Sequence, residues 1–111
     1  MGLTKTELFT KQQNELANIA RCIAHPARIA ILQFLLAKNT CINSSLVEEI
    51  GLAQPTISQH LKELKTAGLI KGTIEGKAIN YCIDQKKWEF VKEELYKFFD
   101  GPIPNKNNQC C

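Results

Sequence analysis

The stretch that most constrains this chain is Gln54 to Leu69, QPTISQHLKELKTAGL. Its apolar residues Ile57, Leu61 and Leu64 recur at i, i+4 and i+7, which predicts a helix with one narrow stripe turned to a core. Pro55 falls at the first helical position, where a missing N–H costs nothing. Gly68 supplies a left-handed cap that stops the helix. At about 100° per residue, Pro55, Gln59, Lys62 and Thr66 point away from the core. Ser58 and Lys65 flank one edge of that face, and Thr56 and His60 flank the other. The face offers amide, hydroxyl and ammonium groups, all able to reach base edges or phosphates in a major groove. The same groups also make an ordinary solvated helix surface, so the neighbouring segments decide.

Upstream, residues 4–24 predict a first helix, with Leu8, Leu16, Ile19 and Ile23 sharing a face. Pro26 interrupts it, and a second helix runs from Pro26 to about Lys38, apolar nearly all round and therefore central and buried. Cys41-Ile42 is a short extended piece. Asn43, Ser44 or Ser45 can cap a short helix over about 45–51, and Gly51-Leu52-Ala53 turns into the 54–67 helix. Two helices joined by a short turn containing glycine form a helix-turn-helix. Downstream the period changes. Leu69 to Ile83 carries β-branched and aromatic residues around Glu75-Gly76-Lys77, which predicts a β-hairpin, a wing directly after the exposed helix. Lys71 and Lys77 near its tip suit phosphate contact.

Residues 86–99 predict a last helix with Trp88, Val91, Leu95 and Phe98 on one stripe and Phe99 beside it. So aromatic a face must be covered. If the second to fourth helices already close the core, this helix and the first are left for a partner subunit, and a symmetric dimer suits a two-fold site on double-stranded DNA. The fold class is thus mainly α with a β-hairpin wing (α+β), a dimeric winged helix-turn-helix. One domain spans 1–99, and 100–111, DGPIPNKNNQCC, is a flexible tail ending in two cysteines.

The 111 residues suffice for one modest core. A net charge of +3 is mild, but residues 54–83 hold Lys62, Lys65, Lys71 and Lys77 against Glu63 and Glu75, a local basic footprint. No run approaches the 18 or more apolar residues that a membrane helix needs, and the N-terminus lacks a signal-peptide core, so the expectation is a cytoplasmic protein without membrane partners. Five cysteines, at 22, 41, 82, 110 and 111, are odd in number and scattered, unlike a secreted disulfide framework. In a reducing compartment they pack as small hydrophobes or bind soft ions. No phosphate-binding glycine loop, dinucleotide motif or GxSxG is present, and Cys22 with His25 lies in an apolar setting before a proline. The chain is expected to be no enzyme and to have no catalytic residues or catalytic cofactor.

Three stretches together, Ile23-Ala24-His25-Pro26-Ala27-Arg28-Ile29-Ala30-Ile31-Leu32, Gln54-Pro55-Thr56-Ile57-Ser58-Gln59-His60-Leu61 and Leu64-Lys65-Thr66-Ala67-Gly68-Leu69-Ile70, closely resemble the ArsR-type (ArsR/SmtB) metal-responsive winged-helix repressors. With the wing, the resemblance covers roughly residues 15–99. It implies a homodimeric transcriptional repressor that leaves its operator when an inducer binds. The family's zinc sites on the last helix use His and Asp/Glu, whereas His25 and His60 are the only histidines here and residues 86–99 contain none. Arsenic and cadmium sensors of the family carry Cys-x-Cys at the start of the short helix; here Cys41-Ile42-Asn43 keeps one thiol. Cys110-Cys111 offers replacements, because a chain from Asp100 to Cys111 reaches roughly 15–20 Å as a coil and at most about 36 Å extended. The expected inducer site is therefore Cys41, Cys110 and Cys111 around As(III) or Sb(III), soft ions that favour thiolates.

The expected DNA-binding residues are Gln54, Pro55, Thr56, Ser58, Gln59, His60, Lys62, Lys65, Lys71 and Lys77, with Gln59 placed to pair with adenine. Cys22 and Cys82 read as structural, His25 as a cap or packing residue, and Arg28 as an ion-pair partner of Glu48 or Glu49. His60 fits either a phosphate contact or packing. Two other functions fit the same scaffold: a redox or reactive-sulfur sensor whose thiols are oxidised, and a winged helix used only for protein contact.

Overall fold

The computed structural model describes residues 5–38, 40–43, 46–74 and 79–104. The chain begins with α1 (Lys5–Leu8) and α2 (Lys11–Ile23), not the single helix expected over 4–24. The break is a capping box. Thr10 Oγ1 accepts the Gln13 N–H at 3.0 Å while Gln13 Oε1 accepts the Thr10 N–H at 2.9 Å, which restarts the helix. Leu8 is thereby cut from the stripe and is exposed, whereas Ile19 and Cys22 of α2 enter the core.

Helix α3 (Pro26–Lys38) starts where His25 Nδ1 accepts the Ala27 N–H at 3.0 Å. Ile31, Leu32 and Leu35 are buried, but Ile29 and Leu36, seven residues apart on one side, stay exposed. The expected all-round burial therefore fails on that side. Helix α4 (Val47–Ile50) has Leu46 at its cap position without a side-chain bond, so Asn43 does not cap it; Ser44 and Ser45 lie outside the described residues.

Helix α5 (Gln54–Thr66) starts where the 54–67 bound puts it, so Pro55 is its second residue and not its first. It ends in a Schellman arrangement: Gly68 at φ +85° gives its N–H to Lys65 O at 2.9 Å, and Leu69 gives its own to Leu64 O at 3.0 Å. Strands β1 (Ile70–Thr73) and β2 (Asn80–Ile83) then pair antiparallel, Ile70 opposite Ile83 and Thr73 opposite Asn80. Gly72, at φ +110°, packs so tightly on β2 that an added Cβ would lie 2.0 Å from Asn80 O. The hairpin tip, residues 75–78, lies outside the described residues, and with it Lys77.

The hairpin has a third, one-residue strand. Ile42 gives its N–H to Tyr81 O at 2.7 Å and accepts the Tyr81 N–H at 2.9 Å, an antiparallel bridge. The buried Tyr81 side chain sits beneath this joint, and burial pushes its hydroxyl pKa up to about 12. Asp84 accepts the Lys87 N–H at 3.1 Å and caps α6 (Gln85–Phe99).

One hydrophobic core draws on every element after α1, from Ile19 and Cys22 through Leu35, Leu46 and Leu64 to Val91. The first and last long helices thus help to close it, which the sequence reading left to the second to fourth. Their outer faces are another matter: Tyr96, Phe98 and Phe99 are 65%, 63% and 75% exposed. Among the described residues no single helix is long and apolar enough to cross a membrane.

Candidate nucleic-acid interface and its thiols

The inner stripe of α5 is Ile57, His60, Leu61 and Leu64, all buried. Fixing these four residues presents Gln54, Pro55, Thr56, Gln59, Lys62, Lys65 and Thr66 to solvent, with Ser58 half-buried at the edge. Two members are held by helix-spaced hydrogen bonds: Gln54 Nε2 donates to Ser58 Oγ at 3.1 Å, and Gln59 Nε2 donates to Glu63 Oε1 at 3.2 Å. The first turn of α5 carries no acidic residue and no side-chain cap. Its positive dipole end is therefore not neutralised locally, which favours an approaching phosphate. Between α5 and the wing lies an open cleft of about 630 Å³ lined by Lys62, Lys65, Thr66, Thr73 and Ile74. Thr73 and Ile74 escaped the sequence reading because only the strand pairing turns them toward the helix. Lys71 is exposed one strand position from Gly72, but it lines a different cleft, described below.

His60 does not belong to this surface. It is 8% exposed, its ring centroid 4.4 Å from that of His25, and its Nδ1 accepts a hydrogen bond from Arg28 Nε at 3.1 Å. Burial, then the nearby His25 and Arg28, hold its pKa below the usual histidine value. Arg28 also donates through Nη1 to Cys22 O at 2.9 Å, so one guanidinium joins the end of α2, the first turn of α3 and the middle of α5. This replaces the expected ion pair with Glu48 or Glu49, both exposed. Cys22 is a packing residue, its thiol 3.8 Å from Glu63 O and raised in pKa chiefly by burial.

Cys41 and Cys82 flank the Ile42–Tyr81 bridge on the same side. Cys41 is exposed and Cys82 half-buried, and the Cys82 thiol is hydrogen-bonded to Cys41. Both line a cleft of about 510 Å³ with Lys71, Trp88 and Glu89. The reading of Cys82 as merely structural missed this neighbour, since nothing in either segment alone announces a contact across 41 residues of sequence. Among the described residues no cluster of three or more His, Cys, Asp and Glu side chains could hold a metal ion. Cys110 and Cys111 lie outside the described residues.

Comparison with known proteins places this geometry. Residues 25–71 match the model of "Bacterial regulatory protein, arsR family". A biofilm growth-associated repressor of Agrobacterium fabrum is 34% identical over 95 residues, covering 86% of this chain and 80% of that protein. The crystal structure of the transcriptional repressor BigR from Xylella fastidiosa superposes with a TM-score of 0.58 at 30% identity, covering 87% of this chain and 94% of that one. That of NolR from Sinorhizobium fredii does so at 0.61 and 20% identity, over 92% and 99% of the two chains. The helix-turn-helix and hairpin are thus a winged helix, and the chain belongs to the ArsR/SmtB family of DNA-binding transcriptional repressors.

Proposed function

We propose that this repressor acts as a homodimer on a two-fold operator and is released when a thiophilic metalloid, As(III) or Sb(III), is bound by Cys41 together with Cys110 and Cys111. The observation that carries the reading is the place of Cys41. Its exposed thiol sits on the segment that leads from α3 into the helix-turn-helix, so ligation there acts on the element that positions α5. Soft trivalent ions favour thiolate donors, and the length of chain between Asp100 and Cys111 lets the tail sulfurs reach that segment. Dimerisation is supported by the uncovered aromatic end of α6, with Leu8 and Phe9 also exposed on the neighbouring N-terminal segment. On DNA, Gln59 and Thr56 would face bases, while Lys62, Lys65, Lys71 and Lys77 would meet phosphates.

The test is operator binding by fluorescence anisotropy, titrated with arsenite under reducing conditions, for the whole chain and for a version ending at Gln109. Release of the whole chain alone supports the tail thiols as ligands. Equal release of both moves the site to Cys41 with another cysteine, and retention of both on DNA sinks the metalloid reading. A second reading, in which oxidation is the signal, is favoured by the hydrogen bond between the Cys82 and Cys41 thiols.

A further inference from the structure

We infer that Cys41 and Cys82 form a redox-active pair that closes to an intrachain disulfide across the Ile42–Tyr81 bridge, with hydroperoxides as the class of oxidant. Residues 42 and 81 exchange both backbone hydrogen bonds, so the adjacent pair, 41 opposite 82, occupies a non-hydrogen-bonded position of an antiparallel ladder. Such pairs hold their Cα atoms about 4.5 Å apart with side chains on one face, within the roughly 4.4–6.8 Å that disulfides span. Closure therefore needs side-chain rotation and little backbone movement.

The row continues into the wing. Lys71 stands opposite Cys82 on β1, so an ammonium, a half-buried thiol and an exposed thiol lie side by side at the mouth of the same cleft. The two sulfurs differ in a way that assigns their parts. Cys41 is open to solvent and meets the oxidant first. Cys82 gives its hydrogen bond to Cys41, and that bond, then burial, keeps it protonated against the pull of Lys71, as suits a thiol that waits for its partner to be oxidised.

In the first step the Cys41 sulfur attacks one oxygen of the hydroperoxide. The O–O bond breaks, a sulfenic acid forms on Cys41, and the other oxygen leaves as an alcohol, or as water from hydrogen peroxide, with the thiol proton. In the second step the Cys82 sulfur attacks the sulfenic sulfur, the S–O bond breaks, and hydroxide departs as water with the Cys82 proton. Two thiols have lost two electrons and two protons to the peroxide, and a dithiol reductant reverses the change. The inference deepens the proposal that Cys41 is the control point, since a disulfide removes its thiolate from ligation, but it requires neither the metalloid nor the tail.

The test treats the whole reduced chain with stoichiometric hydrogen peroxide, blocks remaining thiols with N-ethylmaleimide and digests with trypsin without reduction. Cleavage after lysine and arginine separates Cys22, Cys41, Cys82 and the tail cysteines into four peptides, 22–28, 39–62, 78–86 and 107–111. The expected product joins 39–62 to 78–86 and disappears with dithiothreitol. A bond from 39–62 to 107–111 in its place, or maleimide on both Cys41 and Cys82 after oxidation, would overturn the assignment. In Cys82→Ser the sulfenic acid should persist on Cys41 and be captured by dimedone, with several times the yield of the native chain. Equal capture in both proteins denies Cys82 the resolving part. These readouts need neither DNA nor arsenite, so a failed arsenite titration leaves them intact.

Discussion

Helices α5 and α6 are similar in length and both are amphipathic, yet they finish differently. Helix α5 buries its whole apolar stripe within the chain and leaves amides, hydroxyls and ammonium groups outside. Helix α6 buries Val91, half-buries Trp88 and Leu95, and ends with three exposed aromatic residues. One helix is complete in a single copy of the chain and offers polar recognition. The other is incomplete, and its surplus is apolar area. Recognition of nucleic acid needs groups that remain hydrated until a partner arrives, whereas an obligate protein interface resembles a core cut in half.

The comparison can be broken most sharply at its buried end. Leu64→Ala removes a side chain with no exposure and should cost about 2–5 kcal/mol in urea-induced unfolding. If the chain dimerises through this end, as proposed, Phe98→Ala with Phe99→Ala should leave the intrachain core intact but shift sedimentation toward the monomer, at about 2 kcal/mol or more of association energy; an unaltered sedimentation profile would deny this end of α6 a part in association. Gln59→Ala should leave the fold unchanged and weaken discrimination at one base pair by about 1–3 kcal/mol. If sequence preference survives, the reading face of α5 is wrongly assigned.

The smallest effect concerns pH. His60 is held below its usual pKa in the folded chain, so the unfolded chain binds more protons in that window and stability rises with pH there. The contribution is in place above the unfolded value of about 6.5 and is lost as pH falls through the lower folded value. His60→Gln should flatten this part of the profile, measured as urea midpoints between about pH 7.5 and 5; an unchanged profile would assign the acid sensitivity to other groups.

Much of this division was legible in the chain. The inner stripe Ile57–Leu61–Leu64, the glycine stop at Gly68 and the last helix from near Gln85 follow from period and caps, which are local. The break at Thr10 was written as Thr-x-x-Gln and could have been read as a capping box. What period alone cannot supply is the identity of a distant partner. His60 sits on the border of the apolar stripe, and its burial depends on Arg28, 32 residues away. The nearness of Cys41 to Cys82 depends on a backbone bridge between segments that no pattern links, and the lysines of the α5–wing cleft gain Thr73 and Ile74 only once the strands are in register.

The bridge between Ile42 and Tyr81 has a mechanical consequence. A two-stranded hairpin by itself is marginal in water, and this one is braced by the segment entering the helix-turn-helix and, through the Leu69 carbonyl and the Asp84 N–H at 2.9 Å, by the start of α6. The two described strands of the wing are therefore not hinged freely to the body but tied by backbone hydrogen bonds both to the recognition unit and to the start of the aromatic helix. Were two copies to meet on α6, as proposed above, a torque applied there would reach β1 and β2 through these backbone bonds, much as a handle turns the blade fixed to it.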